Sequence, residues 1–118
     1  MTQSKCSIRE NCGVLLKPMD ATGAVYELGN GDSKKDCIAT VTAFNLDDPL
    51  KPIIIDSQTF EIPPGVRIEL EINLDGIRHL TVFVEKDNRN CIGNLFFVDN
   101  DENPLGYVVL ASDFIKLK

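Results

Sequence analysis

At 118 residues the chain is one domain's length, enough to bury roughly two-thirds of its unfolded surface. Its net charge of −6 leaves no basic face for nucleic acid or for an anionic membrane surface. The only basic run, Lys34-Lys35, has Asp32 and Asp36 beside it, and no stretch approaches the length of a membrane span.

Residues 1–7 are polar and read as loose. Ile8 and Val14-Leu15-Leu16 predict a first strand or hairpin, ended by Pro18. Ala24 to Leu28 is the next strand, and Gly29-Asn30-Gly31-Asp32-Ser33 is a turn cluster. Ile38 to Leu46, dense in β-branched residues, predicts a strand that Asp47-Asp48-Pro49 breaks. Ile53-Ile54-Ile55 reads as a short run buried on both faces, and Phe60 and Ile62 follow Ser57. Pro63-Pro64-Gly65 is a firm break, because neither proline can donate to a ladder.

The cleanest pattern comes next. Val66, Ile68, Leu70, Ile72 and Leu74 alternate with Arg67, Glu69, Glu71 and Asn73, the period of a half-buried strand. Asp75-Gly76 supplies a turn, and Leu80, Val82 and Val84 resume the alternation. Parity favours a three-residue hairpin loop, Leu74-Asp75-Gly76, with Gly76 left-handed. Leu70 would then face Leu80, and Ile68 would face Val82. Ile92 to Val98, Leu105 to Ala111 and Phe114 to Leu117 complete the strands. FVEKDNRNCIGNLFF from Phe83 repeats as FVDNDENPLGYVVL from Phe97, which reads as two successive turns of a meander. No window carries a helical period. The prediction is an all-β, antiparallel sandwich of about eight short strands with little or no helix.

Few motifs carry chemistry. Asp99, Asp101 and Asn103 alternate as in a calcium loop, but Pro104 and Leu110 stand where such a loop needs Gly and Glu. A looser calcium site shared by the acidic turns at 85–90 and 99–103 stays open. LTVFVEKDNRNCIGNLFF also resembles the late strands of calcium-and-lipid-binding domains of the synaptotagmin kind. His79 is the sole histidine and reads as a surface residue rather than a catalyst. Cys6, Cys12, Cys37 and Cys91 match no paired zinc motif and read as lone reduced thiols, a Cys6–Cys12 disulfide being the alternative. MTQSKCSIRENCG contains no apolar core of signal-peptide length, so the expected setting is cytoplasmic, as a protein or as a domain of a larger one. No enzyme, metal or cofactor is expected.

PPGVRIELEINLDGI resembles P-R-G-x-P-x-I-E-V-x-F-x-x-D-x-x-G-I-L, a pattern of the substrate-binding β domain of the seventy-kilodalton heat-shock chaperones, the DnaK type. Pro64-Gly65, Ile68-Glu69-Leu70 and Gly76-Ile77 carry the match. SIRENCGVL is similar to that family's G-I-E-T-x-G-G-V-M, and CIATVTAF falls where the family has A-V-T-I-x-V. Cys12 replaces the first paired glycine, and Asn45-Leu46-Asp47-Asp48 stands in place of Q-G-E-R. The resemblance implies a β-sandwich whose loops arch over an extended peptide held by backbone hydrogen bonds and one apolar pocket. It implies Ala39 and Val41 on the pocket-lining strand, and Asn11 and Leu28 near the arch; plain core is the other reading of Ala39 and Val41. The expected function is non-catalytic binding of an extended peptide or protein segment. The alternatives are a calcium-dependent binding module and a self-assembling structural protein.

Overall fold

The computed structural model describes residues 7–117; the loose segment expected at residues 1–7 therefore lies, but for Ser7, outside the described residues. Among the described residues ten strands form two antiparallel sheets that pack face to face. In chain order they are β1 (Ile8–Asn11), β2 (Leu15–Leu16), β3 (Gly23–Asn30), β4 (Cys37–Asn45), β5 (Ile53–Ile62), β6 (Arg67–Asn73), β7 (His79–Lys86), β8 (Cys91–Val98), β9 (Pro104–Val109) and β10 (Ile115–Leu117). One sheet has the order β10-β1-β7-β4-β5, with β2 also against β7; the other is β6-β3-β8-β9. A single 3-10 turn, Ala111–Asp113, is the only helical element among the described residues.

Alternation assigns the faces. On β3 the inward apolar side chains are Ala24, Tyr26 and Leu28; on β6, Leu70 and Ile72; on β8, Cys91, Leu95 and Phe97. The other sheet contributes Cys37, Ala39, Val41 and Ala43 from β4, and Leu80, Val82 and Val84 from β7. These side chains meet between the sheets and form one core. Gly93 belongs to the same layer. A Cβ there would collide with the Tyr26 ring and hydroxyl and lie 2.8 Å from the Glu27 carbonyl oxygen, so only glycine lets Tyr26 lie over β8.

β1 and β2 are one interrupted strand rather than a hairpin. Asn11 pairs with Phe83, but Leu15 pairs with Leu80, so one extra residue is inserted around Gly13, whose φ is +78°. The insertion flips the parity, which keeps Glu10 and Leu15 on one face.

The predicted hairpin at Leu74–Gly76 is not formed. β6 pairs with β3, matching Leu70 to Tyr26 and Ile68 to Leu28. β7 pairs with β4 and β1 in the other sheet. Leu74–Ile77 is a tight turn, closed by the Ile77 amide donating to the Leu74 carbonyl at 3.0 Å, and it carries the chain across the core. Gly76 has the expected left-handed φ, +77°. Alternation required both strands to send even residues into the same core. A crossover satisfies that requirement as well as a hairpin does, so parity could not choose the partner. The repeated acidic turns differ for the same reason. Asp87–Asn90 joins β7 to β8 across the sheets, whereas Asp99–Asn103 closes a β8–β9 hairpin, so they are not two turns of a meander.

Two further expectations change. Ile53–Ile55 is not doubly buried: it opens the edge strand β5, where Ile53 and Ile54 are exposed. Cys37 and Cys91 are not lone thiols but a disulfide, with Cα atoms 6.3 Å apart, tying β4 of one sheet to β8 of the other. Their sequence separation of 54 hid the pairing. Cys12 is a free thiol, and Cys6, its partner in the alternative disulfide, lies outside the described residues.

Candidate functional site

Three of the four residues expected to touch a peptide are sealed in the core. Leu28, Ala39 and Val41 are each 0% exposed and offer no surface in this arrangement. Leu28 comes from one sheet and Ala39 and Val41 from the other, so they meet as core. Asn11 is different. It ends β1 on the outer face of the six-stranded sheet and borders an apolar cleft of about 440 Å³.

The cleft is assembled from distant parts of the chain. Phe83 of β7 and Phe44 of β4 form its floor, Leu117 of β10 one wall, and Leu46 and Pro52 of the β4–β5 connection the other. Both phenylalanines are half-buried. They stand on the outward phase of strands whose opposite phase fills the core, a placement that usually falls to polar residues. Thr40 and Thr42 occupy neighbouring outward positions of β4 and bond to Thr59 and Ser57 of β5, each at 2.8 Å.

The cleft's two polar residues are already satisfied. Asn11 Nδ2 donates to Thr81 Oγ1 at 2.8 Å and to the Val82 carbonyl at 3.1 Å. Its Oδ1 accepts from the Gly13 amide, and Thr81 Oγ1 donates to the Gly13 carbonyl. Little hydrogen-bonding capacity remains, so the surface suits an aliphatic or aromatic side chain. Such an occupant would be held by burial, worth about 25 cal/mol per Å² of apolar area removed from water.

Asp47, Cys12 and Lys86 have structural partners. Asp47 Oδ1 accepts from the His79 amide at 2.7 Å and the Arg78 amide at 3.0 Å, and lies 3.2 Å from His79 Nδ1. Desolvation pushes the Asp47 carboxyl up, but these hydrogen bonds outweigh it and hold the group below its usual range. His79 is thus the anchor of an exposed corner. Burial pushes the Cys12 thiol up, which keeps it from the thiolate form a nucleophile needs. Lys86, 5% exposed, donates to the Cys91 carbonyl at 2.6 Å and lies 3.1 Å from Glu10 Oε1, closing one end of the core.

The acidic turns lie far apart. β8 separates them with eight residues at about 3.3 Å each, about 25 Å of strand, so they cannot share one ion. Asp99 Oδ1 accepts from the Asp101 and Asn103 amides, each at 2.9 Å; led by the Asn103 bond, these contacts draw its carboxyl below the usual range against desolvation. Asp32 accepts from the Lys34 and Lys35 amides and from Asn88 and Asn90, fastening the β3–β4 loop to the turn after β7. Among the described residues no group of three or more His, Cys, Asp or Glu side chains is placed to hold a metal ion, and no helix is long and apolar enough to cross a membrane. Comparison with known proteins found no matching family model, no matching curated protein and no matching solved structure.

Proposed function

We propose that this chain is a non-catalytic binding module that takes an apolar side chain of a partner's peptide or protein segment into the cleft over Phe44 and Phe83. The observation that carries the reading is the cleft itself. Large apolar residues from β4, β7, β10 and the β4–β5 connection converge on the outside of a sheet, around polar groups with little bonding capacity to spare. A β-sandwich is also the fold that the chaperone resemblance implies, but fold alone does not assign function. Asn11 is the residue shared by that resemblance and the cleft.

Addition of a strand to the edge of β5 is the less favoured route. The register slips between Ala43 and Phe44, leaving Ile55 as an extra residue on β5. Asp56 pairs with inward-facing Ala43 and is half-buried. A bulge and an inward charge are two devices that blunt an edge against further pairing. They also weigh against assembly through this edge. The Cys37–Cys91 bond favours a non-reducing setting over the cytoplasm expected from the sequence.

The test is a titration with extended peptides bearing a central Leu, Ile or Phe. Binding should weaken at least about tenfold in Leu117→Asp, because a charge would enter an apolar contact. No binding at millimolar peptide, or equal affinity in the variant, removes the proposal.

A further inference from the structure

We propose that the opposite face, the outside of the four-stranded sheet, is a docking groove for a short, extended, basic segment of a partner protein. The register places Glu71 of β6, Val25 of β3, Phe96 of β8 and Val108 of β9 in one row across that face. The adjoining row runs Asn73, Gly23, Val98, Pro104, and the missing side chain at Gly23 lowers its floor. A Cβ at Gly23 would lie 2.9 Å from the Ile72 carbonyl oxygen, so the depression is fixed by backbone packing.

A groove of about 560 Å³ follows these rows from β6 to Phe96 in the first and to Pro104 in the second, with an apolar floor that includes Val25 and Phe96. Its two walls are acidic. Glu69 and Glu71 stand on β6, and Asp99 and Glu102 stand on the β8–β9 turn. Among the described residues no Lys, Arg or His lines it. The nearest cation on β6, Arg67, is held by Glu27 at 2.6 Å and lies 3.9 Å from Glu69. Glu71 and Glu102 have no ion partner among the described residues. An apolar floor between two acidic walls is complementary to basic side chains with long aliphatic stems. The stem covers Val25 and the cation reaches a wall, or an arginine lies over the Phe96 ring.

The spacing sets the length of the segment. The groove crosses four strands, three gaps of about 4.8 Å, or about 14 Å. An extended chain covers that in four to five residues at about 3.3 Å each. The fitting segment therefore carries two cations about four positions apart with small apolar residues between them.

A labelled Lys-Val-Gly-Val-Lys peptide tests this by fluorescence anisotropy, beside its Gln-Val-Gly-Val-Gln counterpart and spermine. The Lys peptide should bind, the Gln peptide at least about tenfold more weakly, and high salt should weaken the Lys peptide, because the contacts are exposed. Glu71→Lys with Glu102→Lys should abolish the preference. Both side chains are exposed, and a circular dichroism melt confirms that the variant is folded. Equal binding of the two peptides, unchanged binding in the variant, or spermine binding as tightly as the Lys peptide overturns the proposal. Leu117→Asp, on the other sheet, should leave the Lys peptide's affinity unchanged, so this groove and the apolar cleft succeed or fail separately.

Discussion

Gly93→Ala tests the packing of the two sheets at its tightest point. The added methyl would meet the Tyr26 hydroxyl and ring, and would lie 2.8 Å from the Glu27 carbonyl oxygen. Neither neighbour can retreat easily. Glu27 O belongs to β3, whose ladder to β8 pairs Leu28 with Gly93 itself. Tyr26 is 1% exposed, and its ring centroid lies 5.7 Å from that of Phe114. Overpacking of a fixed core costs about 1–3 kcal/mol, and expelling the ring would forfeit about 3–5 kcal/mol of aromatic burial. A loss of about 3 kcal/mol is therefore expected. With an unfolding entropy of about 2.1 cal/mol/K per residue, that lowers Tm by about 12 °C. Urea unfolding followed by circular dichroism gives the free energy directly. Tyr26→Phe in the Gly93→Ala background should recover part of the loss, since the hydroxyl is the nearest atom. A Gly93→Ala protein within about 0.5 kcal/mol of the parent would refute the packing of Tyr26 across Gly93.

Two more outcomes follow from the core. Opening the Cys37–Cys91 bond releases a 54-residue separation, for which chain entropy predicts a loss of about 4 kcal/mol; urea midpoints with and without reductant should differ accordingly, and two alkylatable thiols at these positions in the unreduced protein would contradict the bond. Burial, with lesser help from Glu10 and Cys12, pushes the Tyr26 hydroxyl well above the usual tyrosine range. The unfolded chain then loses this proton before the folded one does. The stability it contributes is complete below pH 10 and falls as pH rises further, by at most about 1.4 kcal/mol per unit. Tyr26→Phe should remove that part of the alkaline decline, and an unchanged slope would place Tyr26 outside the core.

The strands were legible because period-two alternation, β-branched runs and the Pro63-Pro64-Gly65 break act locally. The left-handed turn at Gly76 was legible for the same reason. The assignment of strands to sheets was not. Even residues of β6 and β7 point into one core whether the strands pair or cross, so the pattern at Val66–Val84 fixed the face and left the partner open. The cleft was hidden because its walls are brought together only by the order β10-β1-β7-β4-β5. A signal did exist. Phe44 and Phe83 fall on the outward phase of β4 and β7, as Val25 and Phe96 do on β3 and β8. An aromatic residue out of step with its strand's buried phase marks an outer face that departs from an ordinary solvated one. Leu28, Ala39 and Val41 were named by family position, but their inward phase already placed them with the core.

The most direct measurement is amide chemical-shift mapping of the isotope-labelled protein during titration with an extended peptide bearing a central leucine. The account predicts saturable shifts confined to the amides around Phe44, Thr81, Phe83 and Leu117, lost in Leu117→Asp. An unchanged spectrum at millimolar peptide, or shifts that map elsewhere, would contradict it.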